Sequence, residues 1–147
     1  MAEASLNSAH TPIENTPVFQ TFVGVCDRIW ALIAKCTPFD RDTVGKQLVR
    51  AADSIGANLV EGDGRYGDRE AVQFFRIARG SARETRYWLE RAASRAILPT
   101  DEVDRLITDL TSATRQLNGL IGYRTEYSKS LRVREVSDPY CSEEADA

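Results

Sequence analysis

Val18, Phe22, Val25, Ile29, Leu32 and Cys36 recur at alternating steps of four and three residues, which places them on one side of an α-helix. The same spacing returns three more times along the chain, and this repetition constrains the fold more than any other feature. The first helix opens at Thr16, an N-cap followed by proline, and is stopped by Pro38. Its predicted span is 17–36, with Trp30 and Ile33 widening the apolar stripe. Val44, Leu48, Ala51, Ile55, Leu59 and Gly62 define a second helix over about 40–61, capped by either Thr37 or Asp40 and ended by Glu61-Gly62-Asp63-Gly64. Ala71, Phe75, Ala78, Ala82, Thr85, Leu89, Ala92 and Ala96 mark a third, from an Asp68 cap to about Ile97. The fourth starts at a Thr100 cap, with Asp101, Glu102 and Asp104 where the helix dipole favours acids. It follows Val103, Ile107, Leu110, Thr114, Leu117 and Ile121 to about residue 126.

No stretch alternates like a strand, and connections of roughly two to six residues make successive long helices lie antiparallel. The expected fold is all-α: an antiparallel up-down-up-down four-helix bundle over 16–128, with disordered termini at 1–15 and 129–147, where the sequence is polar and aperiodic. A chain of 147 residues has room for one such domain. Asp27 and Arg28 interrupt the longest apolar run before it reaches the ~18 residues of a membrane span. No basic segment precedes an apolar core at the N-terminus. A cytoplasmic location without a membrane partner is the expectation.

The formal charge of −3 is unevenly placed: each tail contributes −2 and 16–128 carries +1. Arginine is concentrated on the third helix, where Arg76, Arg79, Arg83 and Arg86 follow steps of three, four and three, with Arg65 and Arg69 in line before them. One reading is a guanidinium stripe for phosphate or an acidic protein surface. The other is a set of ion pairs with Glu84, Glu90, Glu61 and Asp53, within or between subunits. The opposite flank of this helix shows Phe74, Ile77, Ser81 and Trp88 beside the core positions. So wide an apolar arc exceeds what one bundle core uses and points to a subunit interface.

The single histidine, His10, lies in the N-terminal tail, and Cys26, Cys36 and Cys141 form no CxxC pair. Neither a Cys/His zinc site nor a Ser-His-Asp relay is expected, nor any cofactor. Cys26 and Cys36 lie ~15 Å apart along one helix, too far for a disulfide, and read as small buried hydrophobes. Gly62-Asp63-Gly64-Arg65-Tyr66-Gly67 spells the dinucleotide fingerprint G-x-G-x-x-G. That motif requires a preceding strand, so here it reads as the loop between the second and third helices. Glu61 with Asp53 or Asp63 is a carboxylate group suited to a hard cation, but the Glu-x-x-His pattern of di-iron bundles is missing. Small residues gather at Ala51, Ala52, Ser54, Gly56 and Ala57, and again at Ala78, Gly80, Ser81 and Ala82. Glycine within a helix costs ~1 kcal/mol against alanine, and close approach of two helices is the expected compensation. Asn58, near the buried stripe, is expected to hydrogen-bond a neighbouring helix.

The run from Gln47 to Gly62, with its core Arg50-Ala51-Ala52-Asp53-Ser54-Ile55-Gly56-Ala57-Asn58-Leu59-Val60-Glu61-Gly62, is followed by Gly64-Arg65, Phe74-Phe75, Ala78-Arg79-Gly80-Ser81 and Glu84. Together these resemble the four-helix bundle proteins encoded in intervening sequences of bacterial 23S rRNA genes, over about residues 18–125. Family members commonly carry proline where Gly56 stands and a second arginine where Val49 stands. Asn58, Glu61, Gly62, Arg65, Gly80, Ser81 and Glu84 are the matching motif positions. The resemblance implies an up-down bundle that assembles into a homopentameric ring. It also implies kinship with the accessory variability proteins of diversity-generating retroelements, whose basic surface engages a reverse transcriptase and nucleic acid. No enzyme activity comes with it. The expectation is therefore a non-enzymatic, homo-oligomeric scaffold. The alternative is an RNA- or DNA-binding accessory of a reverse transcriptase, using Arg65, Arg69, Arg76, Arg79, Arg83 and Arg86.

Overall fold

Each apolar stripe becomes a helix, and each helix begins and ends where local chemistry allows. The computed structural model describes residues 11–137. Helix α1 spans Pro17–Ala34, its cap Thr16 accepting from the Phe19 N–H at 3.4 Å. The second helix, α2, is continuous through three pieces: Pro38–Asp40, a π-helical segment Arg41–Gly45, and Lys46–Asp63. Thr37 is its cap, Oγ1 accepting from the Asp40 N–H at 3.3 Å, which decides between the two candidates. Helices α3 (Asp68–Ser94) and α4 (Thr100–Ser137) complete the fold. Among the described residues there is no strand.

Two expected caps are corrected. The carbonyls of Gly67 and Pro99 accept the first helical bonds of α3 and α4, from Ala71 and Val103. Asp68 and Thr100 are therefore the first helical residues, not the caps, and Asp68 spends its carboxylate on Arg124. Helix α3 also stops earlier than expected. Ala96 adopts φ 54°, and the Ile97 N–H reaches the Ala92 carbonyl at 2.8 Å while the Ala96 N–H reaches that of Ala93 at 3.0 Å. This is a Schellman ending built on alanine rather than the usual glycine.

The expected tails are shorter where the structure describes them. Ile13–Asn15 form a 3₁₀ turn with Ile13 buried, its N–H donating to Asp63 Oδ2 at 3.0 Å. Residues 129–137, assigned to the C-terminal tail from their lack of periodicity, continue α4. Nothing in that stretch breaks a helix before Pro139. The expectations for residues 1–10 and 138–147, with His10 and Cys141, lie outside the described residues.

Contacts run α1–α2, α2–α3, α3–α4 and α4–α1, whereas α1 and α3, like α2 and α4, have no Cα atoms within 8 Å of each other. The cross-section is a square with sequential helices adjacent, an antiparallel up-down-up-down four-helix bundle. Its centre is filled by Phe22, Ile29, Leu48, Ile55, Leu59, Phe75, Leu89, Leu106 and Leu117. The buried stripe drifts from the predicted one in two helices. Ile33 replaces Leu32 and Cys36 in α1, and Leu106 and Ala113 replace Ile107 and Thr114 in α4. A straight helix turns slightly less per residue than a strict seven-residue repeat, so the core face of α1 moves on to Ile33; in α4 Leu106 and Ala113 instead each fall one residue earlier than expected. Helix α1 meets the length and mean hydropathy of a membrane span, 18 residues at 1.2. In the bundle its Val18-Phe22-Val25-Ile29-Ile33 stripe is turned into the core.

Two glycines permit close helix approach. A Cβ on Gly62 would lie 2.8 Å from Phe74 Cβ and 3.1 Å from the Ala71 carbonyl, and one on Gly45 would lie 2.7 Å from Ile33 Cγ2. Gly56 and Gly80, expected to serve this purpose, do not. A Cβ at Gly56 would meet Phe19 at an ordinary 3.6 Å, and one at Gly80 would meet nothing within 4 Å. Asn58 likewise stays within its own helix, donating to the Ser54 carbonyl at 2.8 Å. From this turn, it is Ser54 that crosses from α2 to α3, meeting Ser81 hydroxyl to hydroxyl at 3.0 Å.

Candidate functional site

Core positions on α3 face the bundle centre, which leaves the arginine row on the flank beside α4. There Arg76, Arg79, Arg83 and Arg86, with Arg115 and Asn118 of α4, line a groove of about 850 Å³. Arg79 Nη1 donates to Asn118 Oδ1 at 3.1 Å, and Arg86 Nε pairs with Glu90 at 3.0 Å. Among the described residues no carboxylate lies within ion-pair distance of Arg76, Arg79, Arg83 or Arg115. Four guanidinium groups thus line one furrow without an ion-pair partner, Glu90 in the same lining being held by Arg86. The chain as a whole favours this group, with 16 Arg against 3 Lys, and its planar fork suits bidentate pairing with phosphate.

The six arginines of the sequence row are not one surface. Arg65 turns away, pairing with Glu61 at 2.6 Å and lying 4.9 Å over the Phe74 ring. Arg69 is exposed but does not line the groove. The ion-pair reading holds for Arg65 with Glu61 and for Arg86 with Glu90. Glu84 is taken by Arg50 of α2 at 2.5 Å. Arg115 and Tyr87, which also lines the groove, were missed because neither stands out until α3 and α4 are set side by side.

The four expected interface residues also divide. Phe74 is half-buried under Arg65, Ser81 bonds Ser54, and half-buried Trp88 donates from Nε1 to Glu84 at 3.3 Å. Ile77 alone among them is open, 53% exposed. On α1, at the diagonally opposite corner, Trp30 is 64% exposed beside exposed Ala31 and Ala34, and Phe39 at the start of α2 is 76% exposed. Trp30 looked like a widening of the core stripe; one residue after buried Ile29, it is turned about 100° away from the stripe and lies on the outer side instead.

The glycine-rich loop is tied down by structural bonds. Asp63 and Asp68, only 12% and 16% exposed, face Arg124, which contacts Asp68 directly and approaches Asp63 at 4.0 Å. Glu61 is held by Arg65 and Asp63 by Arg124 and Ile13, and among the described residues no group of three His, Cys, Asp or Glu is placed to hold a metal. Cys26 donates from Sγ to the Ala52 carbonyl at 3.1 Å. Burial, with the charges of Asp53 and Asp27, pushes its thiol up to about 12. The Cys36 thiol is raised by the same cause and by Asp40. Neither is an activated nucleophile.

These features define a class of protein: an antiparallel helical bundle that presents apolar outer faces and an arginine-lined furrow between two helices. Its sequence matches the family model of the 23S rRNA-intervening sequence protein over residues 14–119, and the chain belongs to that family. Among solved structures it is similar to a protein of unknown function from the S23 ribosomal protein family of Bacteroides thetaiotaomicron. The two are 25% identical with a TM-score of 0.64, covering 71% of this chain and 97% of that one. No curated protein sequence matches it.

Proposed function

We propose that this protein is a non-catalytic, cytoplasmic scaffold that acts as a homo-oligomeric ring. The observation that carries the reading is that apolar side chains stand open on diagonally opposite helices, Trp30 on α1 and Ile77 on α3, with Phe39 open at the start of α2. Two different faces on opposite sides join head to tail, and head-to-tail contacts close into rings when the rotation allows. Five copies is the number implied by the resemblance to the family. Light scattering after size exclusion is expected to give about five times the 16.4 kDa chain mass. A monomer at micromolar concentration overturns the proposal.

A second reading is favoured by the uncompensated arginines of the α3–α4 groove: the protein binds RNA or DNA, as an accessory to a nucleic-acid enzyme such as a reverse transcriptase. Phosphate neutralisation makes such binding fall steeply with salt. Absence of RNA and DNA binding at ~50 mM salt rejects direct contact.

A further inference from the structure

Arg76, Arg79, Arg83 and Arg86 span eleven residues of α3, about 15 Å from first to last, and Arg115 faces them from α4 across the same groove. The cations therefore stand on both walls of a furrow between two helices whose axes pack ~8–10 Å apart. A single phosphodiester strand lies down in such a furrow. A duplex carries its phosphates on ridges either side of a ~12 Å major groove and meets only the rim. One phosphate on each of Arg76, Arg79, Arg83 and Arg115 makes four neutralised phosphates.

The far end of the groove changes character. Arg86 is taken by Glu90, and the next residue, Tyr87, is 52% exposed and braced edge-on by Trp88, ring centroids 5.0 Å apart at 72°. A held aromatic ring at the end of a guanidinium row is the combination that binds single strands, phosphates on the cations and a base on the ring. An acidic peptide would meet the same charges but offers Tyr87 a ring only where an aromatic residue falls in register, whereas every nucleotide carries a base. We propose that the α3–α4 groove is a site for single-stranded nucleic acid, with Arg76, Arg79, Arg83 and Arg115 on the phosphates and Tyr87 stacking on a base. The proposal rests on the nucleic-acid reading above.

The test is fluorescence anisotropy on the full chain with a labelled 12-nucleotide strand, the same length of duplex, and a poly-glutamate peptide, between ~50 and ~200 mM salt. The strand is expected to bind tightest, with a log–log salt slope of about −3 for four phosphates. Arg83→Gln and Arg115→Gln each reduce that slope by about 0.7. Arg105→Gln, outside the groove, leaves it unchanged. Tyr87→Ala weakens binding by about 5- to 100-fold without altering the slope, and Tyr87→Phe retains affinity. Circular dichroism confirms that each variant is folded. Duplex bound as tightly as the strand, or Tyr87→Ala without effect, overturns the single-strand site while the polyanion surface stands. Failure of both nucleic acids to bind at ~50 mM removes the broader reading with it. Preference for poly-glutamate assigns the groove to an acidic protein and overturns the proposal.

Discussion

Gly62 and Gly119 carry opposite expectations although both sit in helices. At Gly62 an added methyl would strike Phe74 and a backbone carbonyl of α3, groups that cannot swing aside, so Gly62→Ala is expected to lose about 1–3 kcal/mol. At Gly119 nothing lies within 4 Å, and Gly119→Ala is expected to gain about 0.5–1 kcal/mol from the lower entropy of the unfolded chain. Urea unfolding of the two variants checks both signs; a stabilised Gly62→Ala contradicts the tight α2–α3 contact. Cys26 makes a pH-dependent contribution. Its thiol stays protonated in the fold up to about 12, whereas in the unfolded chain it ionises at its ordinary value near 9. Below that value both states hold the proton and the contribution is complete; as pH rises from about 9 toward 12 the unfolded state is progressively favoured. The wild type should lose more stability than Cys26→Ala between pH 8 and 10.5. An equal loss in both shows that the thiol is not shielded. Neither role is legible beforehand: in the sequence Gly62 stands on the periodic stripe at the glycine-rich end of the second helix and Cys26 reads as a small buried hydrophobe, because the groups they meet come from another helix.

Secondary structure was the most legible level, since helix periodicity and proline are local properties. Every helix of the bundle was readable from Val, Leu, Ile, Phe and Ala spacing, and Pro17, Pro38 and Pro99 located three of the boundaries. Ends without such a signal were misplaced. The continuation of α4 to Ser137 depends on helix-permitting residues rather than on an apolar stripe, and the stop of α3 depends on Ala96 taking a left-handed conformation. The packing of elements adds a further dependence, because the Gly62–Gly67 loop is closed by a residue far along the chain. Arg124 of α4 lies between Asp68 at the start of α3 and Asp63 at the end of α2, and Asp63 in turn accepts from Ile13. Its side chain is 23% exposed. Arg124→Ala leaves two poorly solvated carboxylates facing each other without a cation, a loss of about 3 kcal/mol. Arg124→Ala combined with Asp68→Asn should recover part of it. Thermal unfolding of the single and double variants checks this, and additive losses show that Arg124 and Asp68 do not act as a unit.

At the scale of the whole molecule the arginine row was visible but its membership was not. Spacing alone joined Arg65 and Arg69 to the row and left out Arg115, because a groove has two walls and the sequence of one helix describes only one. The apolar faces follow the same logic: Trp30 and Ile77 are far apart in sequence and occupy corners of the square that never touch. If one copy's α1 face packs on the next copy's α3 face, each substitution damages one side of every interface. Trp30→Glu and Ile77→Glu, each placing a charge where a partner would bury apolar surface, should each reduce the assembly to monomer. Mixing the two variants separates the head-to-tail arrangement from a two-fold one. A Trp30→Glu copy keeps an intact α3 face and an Ile77→Glu copy keeps an intact α1 face, so together they form one good interface and stop at a heterodimer. A two-fold arrangement pairs like faces, α1 on α1 and α3 on α3, so each variant alone would keep a homodimer through its undamaged face. Light scattering on the equimolar mixture should therefore show a species of twice the chain mass that neither variant forms alone. Persistence of monomers in the mixture rules out pairing of these two faces.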